Sequence, residues 1–189
     1  DVRDSESLMA LTLISTHTAS ASATLDITSG ITSTYDSYEF HCVNMHPATD
    51  QAYFSFQVNA SNDTGGGFDT SLITSTAFEA FHNEAGTDES LEYRPSDLAQ
   101  EALFQNLSTA GCSSDDDHAM NSILTLYAPS STTYVKHFTA RTAFTTGSNY
   151  ATDSYVAGYI NQTLAIPEIS FKFHSGNIDA GTIKMFGVS

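Results

Sequence analysis

The sequence predicts an all-β protein that folds as a single jelly-roll-like antiparallel β-sandwich. Short segments with apolar residues at every second position recur along the chain, and clusters of turn-forming residues separate them. The composition agrees, because 12 Phe and 9 Tyr residues favour strands over helices. A length of 189 residues fits one domain. We therefore assign residues 9–189 to the sandwich and residues 1–8 to a flexible leader.

Residues 35–58 show the strand pattern most clearly. Apolar and polar residues alternate in both halves of this stretch, which is the pattern of half-buried strands. Residues 46–50 between the halves include a proline and other turn formers, which is typical of a hairpin loop. The sequence thus predicts two neighbouring antiparallel strands whose inward side chains form the core, namely Phe40, Cys42, Phe54 and Phe56.

The rest of the chain is predicted to supply the other strands of an eight- or nine-stranded sandwich. Residues 120–127 and 133–144 are predicted to form a second hairpin around a Pro-containing turn. Residues 150–160 are predicted to pair with residues 166–174, because both segments alternate. Further strands are expected at residues 8–15, 20–27, 72–82 and 182–188.

Two segments depart from the strand pattern. Residues 96–107 begin with Ser96, a helix-capping residue, and then place Ala99, Leu103 and Leu107 at helical spacing, so one short helix is expected there. Residues 59–69 contain three consecutive glycines and several Asn and Asp residues, which predicts a mobile surface loop.

The charge of the protein excludes several classes of partner. Six Lys and Arg residues against 22 Asp and Glu residues give a formal net charge of −16 and a pI near 4.4. Binding to a phosphate backbone needs basic residues, so a nucleic-acid partner is not expected. The same charge disfavours anionic membrane surfaces, and no apolar run approaches the ~20 residues that span a bilayer.

The sequence contains none of the familiar enzyme motifs. The glycines at 65–67 are not followed by Lys and Ser or Thr, as a phosphate-binding loop requires. No nucleophile elbow is present, and neither cysteine lies in a recognisable catalytic signature. We therefore expect a protein without enzymatic activity, cofactor or catalytic residues.

Metal binding is also not expected, although one alternative stays open. The seven histidines form no zinc motif, and those at positions 41, 137 and 174 alternate with apolar residues, which indicates a solvent or interface face. Calcium is the better candidate, because oxygen ligands in loops suit a hard cation. The loops that supply such ligands, Asn59 to Asp63 and Asp115 to Asp117, do not match an EF-hand. A solvated acidic loop is the simpler interpretation of both.

Two further groups of residues allow two interpretations each. Cys42 and Cys112 follow no metal-ligand spacing, so they are either separate buried thiols or partners in a disulfide. Tyr53, Tyr134 and Tyr159 either line a sugar-binding face or belong to the core or an interface.

Several segments resemble a family of small structural proteins of tailed-phage virions, frequent in marine phages. The matching segments span nearly the whole chain from Met9: MALTLISTHTASASATLDITSGITSTYDSYEF, HPATD from His46, AFHNEA from Ala80, DLAQ from Asp97, APSSTTYVKHF from Ala128, and SGNIDAGTIKMFG from Ser175. None of these motifs is catalytic. The resemblance implies a β-rich accessory component of the virion, on the head surface or the tail.

The sequence and the resemblance together predict a non-enzymatic virion protein, with head decoration as the first choice. A compact acidic sandwich without a long helical or repetitive stalk fits a decoration or cement protein better than a fibre shaft. The expected partners are the major capsid protein or tail proteins, and further copies of the chain in a trimer or larger ring. The alternative is a tail fibre or receptor-binding module that recognises a host surface glycan.

Overall fold

The computed structural model describes residues 11–60, 68 and 71–189. The predicted leader at residues 1–8 and most of the predicted loop at residues 59–69 lie outside the described residues. The described chain forms two antiparallel β-sheets that pack face to face, which confirms the predicted all-β sandwich.

Thirteen strands are present in the described residues: β1 (Leu11–Ser22), β2 (Leu25–Ile27), β3 (Ser37–Pro47), β4 (Phe54–Asn59), β5 (Ile73–Asn83), β6 (Glu89–Tyr93), β7 (Ala99–Glu101), β8 (Gln105–Asn106), β9 (Met120–Tyr127), β10 (Lys136–Thr145), β11 (Tyr150–Ile160), β12 (Glu168–Phe173) and β13 (Ile178–Val188). The large sheet has the order β1-β13-β3-β9-β10-β11-β5-β6, and β7 also pairs with β5. The small sheet has the order β2-β12-β4-β8. The expected strand number was too low, because β6, β7 and β8 were not predicted. β7 and β8 have three and two residues and are too short to show an alternating pattern.

The core lies between the two sheets and contains the four residues that the sequence assigned to it. Phe40, Cys42, Phe54 and Phe56 are each at most 1% exposed. Phe171 of the small sheet packs between Phe40 and Phe54, with ring centroids 5.6 and 6.0 Å away. The first pair joins the two sheets and the second lies within the small sheet, and burial of these rings contributes to the hydrophobic stabilisation of the sandwich.

The predicted hairpin at residues 35–58 is wrong in its pairing. Its first half forms β3, which pairs with β13 and β9 in the large sheet. Its second half forms β4, which pairs with β12 and β8 in the small sheet. The two strands therefore face each other across the core instead of lying side by side. Alternation identifies a half-buried strand but not its hydrogen-bonded neighbour, and both arrangements bury the same side chains.

The other predicted pairings have mixed outcomes. The second hairpin is confirmed, since β9 and β10 pair antiparallel from Phe138 opposite Leu126 to Ala143 opposite Asn121. The predicted pairing of residues 150–160 with 166–174 is wrong, because β11 pairs with β10 and β5, whereas β12 pairs with β2 and β4. As before, the strands themselves were identified and the sheet to which each belongs was not.

The helix expected at residues 96–107 is absent from the structure, where this segment contains the short strands β7 and β8. Leu107 is fully buried while Leu103 is mostly exposed, so the apolar residues at helical spacing do not share one buried face. β8 pairs with β4 of the small sheet, with Gln105 opposite Phe56, and Gln57 of β4 donates from Nε2 to the Leu103 carbonyl oxygen at 2.8 Å. These tertiary contacts outweigh the weak intrinsic helix propensity. Within the described ranges no helix is long and apolar enough to cross a membrane.

Cys42 and Cys112 are both buried and both free, so the structure contains two separate thiols and not a disulfide. Burial raises the pKa of Cys112 to about 12, and it raises the pKa of Cys42 further still. The thiolate is the reactive form, and at pH 8 a thiol with that pKa is ~10⁻⁴ ionised.

We expect both thiols to resist alkylation in the folded protein. Iodoacetamide at pH 8 should modify both cysteines of the denatured protein. Over the same reaction time it should modify neither cysteine of the native protein. Intact mass measured at intervals reads this out, with the denatured protein as the control. Rapid modification of native Cys112 would contradict the burial described here.

Candidate interaction surface

The two faces of the large sheet have different surroundings. Its inner face packs on the small sheet, whereas its outer face is not covered by any described element. Alternation along each strand defines the outward side chains, and we call this surface the open face. On six neighbouring strands of the sheet, β3, β9, β10, β11, β5 and β6, it comprises Ser37, Glu39, His41, Val43, Asn121, Ile123, Thr125, Tyr127, His137, Thr139, Arg141, Ala143, Ala151, Asp153, Tyr155, Ala157, Tyr159, Thr74, Thr76, Phe78, Ala80, His82, Glu89, Leu91 and Tyr93.

Exposed apolar and aromatic side chains lie on both sides of β10 on the open face. Ile123 in β9 is 47% exposed, Phe78 in β5 is 44% exposed, and Leu91 in β6 is 72% exposed. Val43 and Tyr93 are also exposed on the same surface. Single exposed apolar residues are normal, but a contiguous set on one sheet face is typical of a surface that binds a partner.

A ladder of stacked side chains crosses the middle of the open face. The Arg141 guanidinium lies 5.2 Å from the centroid of the Tyr155 ring. On the next strand Phe78 stacks on Tyr155, with centroids 4.9 Å apart and planes 4° from parallel. Arg141 and Phe78 flank Tyr155 from the strands on either side, β10 and β5, so both faces of the tyrosine ring are covered. The ladder therefore presents ring edges to a partner.

One ion pair fixes the orientation of the ladder. The Arg141 guanidinium donates from Nε and Nη2 to the two carboxylate oxygens of Asp153, at 2.9 and 2.8 Å. These hydrogen bonds lower the pKa of Asp153 and raise the pKa of Arg141. A bidentate pair holds the guanidinium in one plane, which keeps it over the aromatic ring.

A shallow groove of about 740 Å³ lies on the open face. Alanines at positions 80, 143 and 151 form part of its lining, where larger side chains would fill it. His41, His82, Asn121 and the Arg141–Asp153 pair also line it. His41 is itself bonded, since its Nε2 lies 2.8 Å from Glu39 Oε2. The groove thus offers apolar contact with a few oriented hydrogen-bonding groups.

The open face is mildly acidic. Its acidic residues on β3, β9, β10, β11, β5 and β6 are Glu39, Asp153 and Glu89, and its one permanent cation there is Arg141. Three acids and one base leave a formal charge of −2 on these six strands. The ion pair of Arg141 with Asp153 compensates one of the three acids, which reduces the repulsion of an acidic partner at this position.

A second, smaller cavity of about 260 Å³ lies beside a buried carboxylate. Glu79 is 2% exposed, its Oε1 lies 3.3 Å from Arg94 Nε, and Thr109 donates its hydroxyl to the other oxygen. Arg94 also donates to Glu92 at 2.7 Å. Glu79 belongs to a strand of the large sheet and Thr109 to the segment after β8, so the network joins separate parts of the chain. A buried charge needs such partners, so the role of this network is to stabilise the Glu79 carboxylate within the fold.

The predicted locations of the histidines are confirmed. His41 and His137 lie on the open face, and His174 is exposed after β12, where its Nδ1 accepts a hydrogen bond from the backbone of Tyr53 at 2.8 Å. Among the described residues no group of three or more His, Cys, Asp or Glu side chains is placed to hold a metal ion. Asp115 and Asp117 point largely into solvent. Ser61 and Asp63, which belong to the other calcium candidate, lie outside the described residues.

The three tyrosines considered for sugar binding do not share one surface. Tyr159 lies on the open face, Tyr134 is exposed in the turn before β10, and Tyr53 precedes β4 of the small sheet. The residues that do share one surface were not predicted from the sequence. Alternation at Ile123, Thr125 and Tyr127 was visible, but only the strand order shows that such outward residues from neighbouring strands meet.

The open face is therefore defined by the geometry of the sheet and not by a recognisable motif. The family resemblance of the sequence rests on the quoted segments alone. Comparison with family models, with curated proteins and with solved structures found no match for this chain.

Proposed function

We propose that this protein is a non-enzymatic structural component of a bacteriophage virion, and that it decorates the head. The observation that carries the proposal is the open face, a broad and partly apolar surface of a strongly acidic protein. Such a surface is suited to bind the sandwich to a protein lattice. The family resemblance suggests the major capsid protein as the partner.

The rest of the architecture supports this role. Sheet-on-sheet packing around an aromatic core gives a rigid body, and rigidity lowers the entropic cost of binding to a lattice. The acidic residues that lie away from the open face keep the exposed side of a seated protein strongly negative. Negative charge there maintains the solubility of the decorated particle.

The alternative is a tail fibre or receptor-binding module that recognises a glycan of the host surface. The groove favours it, because apolar side chains and the oriented Arg141–Asp153 pair line the same depression. Sugar recognition commonly uses an exposed ring face, and both faces of Tyr155 are covered. The ladder thus supports contact with a protein surface better than contact with a sugar.

Quantitative mass spectrometry of purified phage particles tests the proposal. We expect the protein in virions at a copy number that scales with that of the major capsid protein. A copy number matching the tail proteins would favour the alternative, and glycan-array binding that Tyr155→Ala abolishes would favour it further. Absence from purified virions would overturn both assignments.

A further inference from the structure

The four outermost strands of the two sheets differ in how they are protected. β2 and β8, at the edges of the small sheet, have three and two residues. β6, at one edge of the large sheet, has five residues and carries Glu89 and Glu92. Short length and charge are the usual devices that prevent an edge strand from pairing with another chain.

β1, at the other edge of the large sheet, has neither device, and its one irregularity is a β-bulge between Leu13 and Ser15. It extends over 12 residues, LTLISTHTASAS, without Asp, Glu, Lys, Arg or Pro. It pairs with β13 on one side only, and no other described backbone pairs with its outer side. Leu11 and Leu13 project from it and are 51% and 54% exposed. An uncharged, long edge with exposed leucines is suited to accept another strand.

We propose that two copies of this chain pair along β1, antiparallel across a two-fold axis, so that their large sheets form one continuous sheet. A second copy fits this edge because it presents an identical uncharged strand of 12 residues, and net charge places the contact there. Each copy carries a formal charge of −16, so two copies meet with least repulsion where both strands are uncharged.

Strand length supports the same occupant. Antiparallel self-pairing sets 12 residues against 12, whereas pairing of β1 with the opposite edge, β6, would match 12 residues with five that include two glutamates. A β1-to-β6 contact is also heterologous, so it would produce rings or open arrays with the same mismatch at every joint. The two-fold contact forms a closed dimer, which leaves no long uncharged edge exposed.

The proposed dimer has a geometric consequence for the open face. The two-fold axis of an antiparallel strand pair stands perpendicular to the sheet, so the open faces of both copies lie on the same side. Two joined faces bind a surface with higher avidity than one. The dimer itself is independent of the virion assignment, since it involves only the edge of the sheet.

Light scattering coupled to size-exclusion chromatography tests the proposal on the full chain. The protein should elute with twice its 20.3 kDa mass. The double variant Thr16→Glu with Thr18→Glu places like charges near each other across the axis, so it should be monomeric. The matched control is Thr76→Glu with Thr139→Glu, which adds the same charge to exposed threonines of β5 and β10 and should remain dimeric.

A second readout avoids substitutions. Amide hydrogen exchange in β1 of the unmodified protein should accelerate on dilution through the dissociation range, while exchange in β10 should not change. A monomer at every concentration would overturn the proposal, as would a trimer or an edge variant with the same mass as the unmodified chain. None of these results depends on whether virions contain the protein, so the two proposals fail separately.

Discussion

Replacing Phe56 by Asp is expected to unfold the protein. Phe56 is fully buried, and its ring packs edge-to-face on Phe138 with centroids 5.1 Å apart. Removal of a buried phenylalanine side chain alone costs about 3–5 kcal/mol. The aspartate adds a buried carboxylate at a site where an apolar ring now packs, which raises the cost further. The total destabilisation is comparable to the free energy of unfolding of a typical domain, which is about 5–15 kcal/mol, or exceeds it.

Thermal unfolding followed by circular dichroism provides the measurement. The control is Leu91→Asp, which introduces the same carboxylate at a position that is 72% exposed, and it should melt within a few degrees of the unmodified protein. A folded Phe56→Asp variant with an unchanged melting temperature would show that β4 does not have the register described here.

Replacing Ile123 by Glu is expected to remove the protein from virions while leaving it folded. Ile123 lies near the centre of the open face, between His41 of β3 and Arg141 of β10. A charge placed at the centre of an interface must be desolvated on binding, and central contacts dominate binding free energy. We expect incorporation into particles to fall at least about tenfold, which corresponds to ~1.4 kcal/mol. Stability should change by no more than about 0.5 kcal/mol.

The comparison for this prediction is Leu103→Glu. Leu103 is also about half exposed, but it lies in the segment between β7 and β8, away from the open face. Complementation of a phage that lacks the gene, followed by quantification of the protein in purified particles, gives the measurement. Equal incorporation of both variants would mean that the open face does not bind the particle.

The sequence predicted strands well and their partners poorly. The extents of β9 and β11 agree with the expected segments, because alternation is a local property of the chain. The pairing of β3 with β13, which are more than a hundred residues apart, has no local signal. Proximity in sequence suggested β4 as the partner of β3, whereas the chain crosses from one sheet to the other between them.

The candidate surface could not be predicted for the same reason. Ile123, Tyr155 and Phe78 look like ordinary outward residues of three separate strands, and only the order β9-β10-β11-β5 brings them onto one surface. The error at residues 96–107 has another cause. The segment pairs with β4 through β8, and such tertiary contacts cannot be read from helical spacing.

A reconstruction of the phage particle is the most direct test of whether the open face seats the protein on the head. If the open face seats the protein on the head, density for the sandwich should lie on the outer surface of the shell with β9, β10 and β11 toward the capsid protein. Ile123 and Phe78 should then be buried in the contact, with the acidic loops outward. Density that places the small sheet against the shell, or that leaves the open face exposed to solvent, would contradict the account.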